Sequence, residues 1–258
     1  MSTEEPPVAP SFSIVLATLN ERENLPGVLD RIFRLPRSDF EVLVVDDGST
    51  DGTRQLVLER AATEPRLRLL THEGKQTTLR AQCQAIESAR APFIVIMDAD
   101  LQHPAETIPA LVGRLEGGAH LAVASRYAPG GSPGPRTRTR IFYSRGAEWL
   151  ARRALGRETR GVTDPVSGFF AFRREIFVPM EPGYRGYKLL LFVLVMNRGR
   201  PVAEVGYQFE PRVHGSSKAT QGYGFIRLYL RELRLARRLR RTLGPLGGAR
   251  ETPIATHS

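Results

Sequence analysis

The stretch Phe93-Ile-Val-Ile-Met-Asp-Ala-Asp-Leu-Gln-His103 limits the fold more than any other part of the chain. Five apolar residues in a row, with β-branched ones at the centre, follow Pro92 and stop at a polar cluster. A short run of this kind suits a central parallel strand, covered on both faces. Two carboxylates, Asp98 and Asp100, stand where the strand ends. Pro104 is placed to open a helix. Open α/β sheets bind ligands beyond the carboxyl ends of their strands. A pair of carboxylates there suits a hard divalent cation held by oxygen. As a bare D-x-D, the pair is equally an ordinary turn and cap.

The same arrangement recurs upstream. Phe12–Leu16 is a strand ending in Thr18-Leu-Asn-Glu21, and Phe40–Val45 is a strand running into Asp46-Asp-Gly-Ser-Thr-Asp-Gly-Thr53. Asn24 is placed to cap a helix from about Pro26, and Asp51 or Thr53 to cap the next, which runs to about Glu64. Leu67–Leu70 reads as a third strand and Thr78–Arg90 as a helix. Four strands alternating with helices predict an α/β fold with a mostly parallel, doubly wound sheet. Its connections are expected to be right-handed. Further on, the pattern predicts a helix to about Glu116, a strand Leu121–Ser125, a loop 128–139 and a helix Ile141–Leu155. Gly168–Phe172 and Val202–Phe209 read as strands, and Tyr187–Asn197 as a helix or strand too apolar to be exposed.

Three polar turns, Thr18–Glu21, Asp46–Ser49 and Asp98–Gln102, are thus expected on one side of the sheet. Carboxylates accept hydrogen bonds from base N–H groups and ribose hydroxyls, and a metal can carry a pyrophosphate against the remaining acid. No G-x-G-x-x-G opens the first turn, and no G-x-x-x-x-G-K-[ST] occurs, which argues against dinucleotide and P-loop folds.

Charge narrows the partners. The net charge is +10 over 258 residues. Such an excess points to polyanions: phosphorylated substrates, an anionic membrane or nucleic acid. No nucleic-acid motif is visible, so nucleic acid is set aside. Between residues 225 and 250 there are eight Arg and one Glu, and Ile226, Tyr229, Leu230, Leu233 and Ala236 form one helical stripe. Residues 222–243 are therefore expected to be a basic amphipathic helix at an anionic membrane surface, or a helix packed on the domain with a solvated basic face. Cys83 is the single cysteine, so an internal disulfide is excluded. No apolar run approaches the ~18 residues of a membrane span. Residues 1–10 lack the features of a signal peptide and read as a disordered leader, as do 244–258 as a tail, around a main domain of 11–221. The expected location is cytoplasmic, peripheral at the membrane.

Seven motifs now stand in order: Leu16-Ala-Thr-Leu-Asn-Glu21, Val44-Val-Asp-Asp-Gly-Ser-Thr-Asp-Gly-Thr53, Met97-Asp-Ala-Asp-Leu-Gln-His-Pro104, Ser125-Arg-Tyr127, Ser144-Arg-Gly-Ala147, Asp164-Pro-Val-Ser-Gly-Phe169 and Arg212-Val-His-Gly-Ser-Ser-Lys218. Over about residues 12–220 the chain resembles the family-2 inverting glycosyltransferases of the GT-A nucleotide-sugar-binding fold. Within them it resembles the polyprenyl-phosphate enzymes of the dolichyl-phosphate mannose synthase type. The resemblance implies a nucleotide-sugar donor, GDP-mannose in the first instance, and a polyprenyl or dolichyl phosphate acceptor. It implies nucleotide contacts from Thr18, Asn20, Glu21, Asp46, Asp47, Gly48, Ser49 and Asp98. Mg²⁺ or Mn²⁺ would be held by Asp98, Asp100 and Gln102. Arg126, Arg145, Arg212 and Lys218 would surround the phosphates.

A lipid phosphate is already an anion and needs no general base. A hydroxyl acceptor would need one, and Asp164 is the candidate, otherwise an auxiliary residue. A different donor, or a non-catalytic membrane module on the same fold, are the alternative readings. Ala17 and Leu19 stand where the family shows Pro and Tyr, and Gly74–Leu79 replaces a Gly-rich stretch. These departures mark where a changed donor preference would be encoded. Longer members carry transmembrane helices after the catalytic domain, so the tail helix or an anchoring partner protein is expected to hold this chain near lipid.

Overall fold

A computed structural model describes residues 9–72, 77–135, 138–181, 184, 186–213 and 223–244. The expected alternation is present: β1 (Phe12–Thr18), α1 (Leu25–Phe33), β2 (Phe40–Asp46), α2 (Thr53–Ala61), β3 (Leu67–Thr71), α3 (Thr78–Ser88) and β4 (Phe93–Asp98). After them come α4 (Ile108–Glu116), β5 (Leu121–Ser125), α5 (Arg138–Leu155), β6 (Phe170–Arg173), α6 (Leu189–Asn197), β7 (Val202–Gly206) and α7 (Tyr223–Leu243).

The seven strands form one sheet in the order β3-β2-β1-β4-β6-β5-β7. Strands β3, β2, β1 and β4 are parallel; β6 runs antiparallel to both its neighbours, and β7 is parallel to β5. Alternate residues feed two cores. Ile14, Leu16, Val44, Val95 and Met97 face a layer containing α1 and α4. Val15, Leu43, Val45, Ile94 and Ile96 face a layer built by α3, α5, α6 and α7. Burial on both faces is why these strands read as continuous apolar runs rather than alternating ones.

Local details differ from the sequence expectation in several places: β7 ends at Gly206 rather than Phe209, and α5 begins at Arg138 rather than Ile141. Pro104 has extended backbone, and a 3-10 turn over Ala105–Thr107 precedes α4. Asn24 does not cap α1 with its side chain, because it is itself helical and its Nδ2 donates to Glu21 Oε2 (2.9 Å). The second helix ends at Ala61, where the chain turns through Thr63 and Glu64 into β3. Tyr187–Asn197 resolves as a helix, with all nine residues of α6 buried.

Helix α7 packs on α5 and α6, and Tyr229, Leu233, Ala236 and Leu239 enter the second core. Most of the apolar stripe expected at a membrane surface is therefore covered by the domain itself. The outward face carries Arg227, Arg231, Arg234, Arg237, Arg238 and Arg241. Among the described residues no helix is long and apolar enough to cross a membrane.

Candidate active site

The parallel register brings the three polar turns together. Thr18 pairs with Asp46 across β1 and β2, and Ala17 pairs with Asp98 across β1 and β4. The first two turns are tied to each other. Asn20 N–H donates to Ser49 Oγ (2.8 Å), Asn20 Oδ1 accepts from Thr50 N–H (2.8 Å), and Glu21 N–H donates to Thr53 Oγ1 (3.0 Å). Asn20 and Ser49 thus shape the turn with the groups expected to reach a nucleotide. The N-cap of α2 is Gly52, without a side-chain cap bond, rather than the expected Asp51 or Thr53, because Asp51 stands one residue before it in the turn and accepts Thr53 N–H through Oδ1 (3.0 Å). Gly48 sits at φ +82°, a conformation that favours glycine and lets the turn fold back. Asp46 is buried and accepts Ser49 N–H through Oδ2, while its Oδ1 is buried without a hydrogen-bond partner. Asp47 lies 3.4 Å from His72 Nε2.

Two cavities open here. The smaller, about 260 Å³, is lined by Thr18, Leu19, Glu21, Asp47 and Thr78 on the β1–β2 side. The larger, about 390 Å³, lies on the β5–β6 side, between Arg126, Tyr143, Tyr187, Lys188, Phe209 and Tyr229. They share Asp98, Asp100 and Arg212, which form the wall between them.

Asp98 ends β4 with an exposed carboxylate that makes no hydrogen bond to the described residues, and its N–H donates to His103 Nδ1 (3.2 Å). His103 is buried, stacked on Phe169 at 5.2 Å, and burial holds it below the usual imidazole range. Gly168 leaves room here, since a Cβ would meet Asp98 Oδ2 at 2.9 Å. Asp100 is nearly buried, and its carboxyl is pushed up by burial and by the charge of Asp98. Gln102 lies under the same turn, its N–H donating to Asp100 Oδ1 (3.2 Å).

Arg212 tests whether these donors suit a cation. Its Nη2 donates to Asp100 Oδ2 (2.5 Å) and to Gln102 Oε1 (3.3 Å), so carboxylate and amide oxygen already converge on one positive group. With the free carboxylate of Asp98, the donors are all oxygen and suit Mg²⁺ or Mn²⁺. Among the described residues no group of three or more His, Cys, Asp and Glu is poised to hold a metal.

The other expected residues separate. Arg126 and Asp164 form a buried bidentate pair, Nε to Oδ2 at 2.6 Å and Nη2 to Oδ1 at 2.8 Å. Arg126 still lines the larger cavity, whereas Asp164 is fully enclosed. Arg145 projects to solvent from α5 and lines neither cavity. Lys218 and the segment 74–76 lie outside the described residues. Lys188 is a residue sequence reading missed. It stands directly before α6, and its Nζ donates to Val166 O (2.9 Å). Burial pushes its ammonium pKa down. The available signal was a lone basic residue before an eight-residue apolar run.

Residues 13–178 match the sequence profile described as Glycosyl transferase family 2. The chain belongs to that family. It is 36% identical over 207 residues to the dolichol-phosphate mannosyltransferase of Pyrococcus furiosus, covering 80% of this chain and 58% of that protein. It is 33% identical over 214 residues to the polyprenol monophosphomannose synthase of Mycolicibacterium smegmatis, covering 80% and 79%. Among solved structures it resembles glucosyl-3-phosphoglycerate synthase from Mycobacterium tuberculosis. The complex with Mn²⁺, UDP-glucose and phosphoglyceric acid superposes with a TM-score of 0.66 at 23% identity, covering 88% of this chain and 80% of that one. The UDP complex gives 0.64 at 24% identity, with the same coverage. At that identity the likeness carries the fold alone, and that fold is the GT-A fold of family 2.

Proposed function

We propose that this chain transfers a hexose, mannose from GDP-mannose in the first instance, to a polyprenyl phosphate with inversion. The carrying observation is the pair of cavities divided by Asp98, Asp100 and Arg212. The smaller takes the nucleotide sugar against Thr18, Glu21 and Asp47, and the larger takes the acceptor. Asp46, buried under the same turn, lines neither cavity and would act on the donor through the turn it holds, its Oδ2 accepting Ser49 N–H.

The larger cavity supports an anionic acceptor. Arg126 and Lys188 reach it from its walls, and Arg212 from the divide. Asp164, the candidate base for a hydroxyl acceptor, is enclosed and held on both oxygens by Arg126. A group so held cannot take a proton from an incoming hydroxyl. An acceptor phosphate needs no base. One of its oxygens attacks the anomeric carbon, the bond from that carbon to the pyrophosphate oxygen breaks, and the electron pair leaves with the nucleoside diphosphate. No proton moves, and a single displacement inverts the anomeric centre. Arginine suits both phosphates because it stays charged and binds them through two N–H groups. Asp98, Asp100 and Gln102 would hold the divalent cation, which supplies Lewis-acid stabilisation of the leaving group. Arg212, resting on the same oxygens, is poised to turn to either phosphate.

Supply of a lipid substrate fits the surroundings. Tyr143, which lines the larger cavity, and Trp149 further along α5 are both exposed, a residue type enriched at membrane interfaces. The arginines of α7 face outward. With its apolar stripe covered, α7 would meet an anionic membrane by charge rather than by insertion. An anchoring partner protein would serve the same end.

The test is turnover of GDP-mannose, UDP-glucose and UDP-N-acetylglucosamine with a short polyprenyl phosphate, with and without Mn²⁺, followed by mass spectrometry and NMR of the anomeric proton. The expected product is a glycosyl phosphate of inverted configuration, formed only with metal. Glycosylation of a sugar or glycerol hydroxyl, with none of the lipid phosphate, would overturn the acceptor assignment.

A further inference from the structure

Helix α7 does more than cover the second core. Among its arginines it carries one acid, Glu232, which is wholly buried. Its Oε1 accepts the backbone N–H of Tyr187 (2.5 Å) and of Lys188 (2.8 Å). These residues immediately precede α6, and both side chains line the larger cavity. The approach is close enough to require glycine at 186, because a Cβ there would overlap the Glu232 carboxylate. Gly186 O in turn accepts Leu79 N–H (3.0 Å), which ties the same segment to the start of α3. The N-terminus of α6 has no side-chain cap of its own. Exposed N–H groups at a helix start favour an acceptor and negative charge.

A helix contact alone does not call for an acid here. An apolar residue would pack between α6 and α7 without desolvating a carboxylate. What the carboxylate adds is a fixed backbone at Tyr187 and Lys188. From that backbone Lys188 reaches Val166 O and the cavity wall. Asp98, Arg126 and Asp164 act on the same ammonium from β4, the β5 turn and the loop before β6.

We propose that Glu232 is a positioning residue: through the amides of Tyr187 and Lys188, the tail helix sets the Lys188 ammonium where the acceptor phosphate binds. This rests on reading the larger cavity as the acceptor site, and it makes α7 part of that site's wall.

Steady-state kinetics with a short polyprenyl phosphate in detergent test it, using wild type, Glu232→Ala, Glu232→Gln, Lys188→Ala and the Glu232→Ala/Lys188→Ala double variant. Glu232→Ala is expected to raise the acceptor KM about tenfold or more, with the donor KM changed by less than about twofold. Glu232→Gln keeps an oxygen for the two N–H groups and is expected to recover most of the loss. Glu232→Ala should add nothing in the Lys188→Ala background, since coupled residues are non-additive. Should Glu232→Ala fail to fold, Glu232→Asp withdraws the carboxylate by one methylene and is expected to show the same KM signature. An unchanged acceptor KM, a fall in kcat alone, or additive effects in the double variant would each overturn the proposal. Wild type that binds and turns over no polyprenyl phosphate would overturn the acceptor reading itself, and this proposal with it; that failure is seen before any substitution is made.

Discussion

Truncating Asp164 separates a structural clamp from a catalytic base. Asp164 is fully buried, and Arg126 is only 11% exposed at its side chain. Asp164→Ala removes two charge-assisted hydrogen bonds, of 2.6 and 2.8 Å, and leaves a guanidinium enclosed beside the rings of Phe209 and Tyr127. Breaking a buried pair from one side costs about 3–5 kcal/mol. For a chain of this length each kcal/mol lowers the midpoint by about 2–4 °C, so a fall of roughly 6–20 °C is expected. Asp164→Asn, which keeps one oxygen towards Arg126, should fall by about half as much. The paired replacement Arg126→Met with Asp164→Leu should recover most of the stability, because an apolar pair avoids the desolvation of both ions. It should not recover turnover, since Arg126 also faces the acceptor cavity. Thermal melting followed by circular dichroism at pH 7, alongside turnover with polyprenyl phosphate, reads both. If Asp164→Asn abolished turnover with the midpoint within about 2 °C of wild type, Asp164 would be acting as a base and the clamp would be wrong. An active Met/Leu pair would equally refute the role given to Arg126.

Asp100→Asn should weaken Mn²⁺ binding in the presence of a nucleoside diphosphate by at least about tenfold, measured by calorimetry. Its midpoint should hold or rise, because burial and Asp98 already disfavour the Asp100 carboxylate. Unchanged Mn²⁺ affinity would remove Asp100 from the metal set. Burial raises the Glu232 carboxyl from 4.5 to about 7. Its folded form therefore favours the proton, and the contribution to stability is full below pH 4.5 and lost as pH rises through about 7. Glu232→Gln should match wild type near pH 4.5 and exceed it by up to about 3 kcal/mol above pH 8; a stability gap that does not change with pH would contradict this. Replacing Arg227, Arg231 and Arg234 by Glu should weaken binding to anionic vesicles, at about 1 kcal/mol for each arginine near the surface. The midpoint should change little, as all three are exposed. Deleting the helix would be a poor substitute, because its other face is core. Equal vesicle binding by wild type and the triple variant, in a sedimentation assay, would reject the membrane role of α7.

Much of the fold was legible because local and global preferences agree. The runs at residues 12–16, 40–45 and 93–97 are apolar on both strand faces, interrupted only by Ser13 and Glu41, which bond to each other, and each ends in residues that favour turns. Boundaries were less legible. Pro104 suits a first helical position by its own geometry, yet the turn that carries Gln102 and His103 under β4 holds it extended. Asn24 has the chemistry of a cap, but Glu21 claims its amide.

In the site, the acids could be read because they follow strands directly, and parallel register puts strand ends side by side. The basic residues could not be sorted the same way. An arginine is long, and its sequence neighbours do not say whether it turns to solvent, as Arg145 does, or to a buried partner, as Arg126 does. Lys188 gave no motif at all, because its role comes from residues distant in the chain, Val166 and Glu232.

By itself, then, the sequence determined the layered α/β architecture, the family, and the strand-end carboxylates Asp98 and Asp100, since periodicity and turn chemistry act over a few residues. Tertiary structure alone decided the ion pairs: Asp164 taken by Arg126, and Arg212 laid across Asp100 and Gln102. It also decided that the apolar face of the tail helix belongs to the core and that its single buried acid holds the backbone before α6. Charges pair, and helix faces find their cover, according to which surfaces meet in space, and separation along the chain carries no record of that.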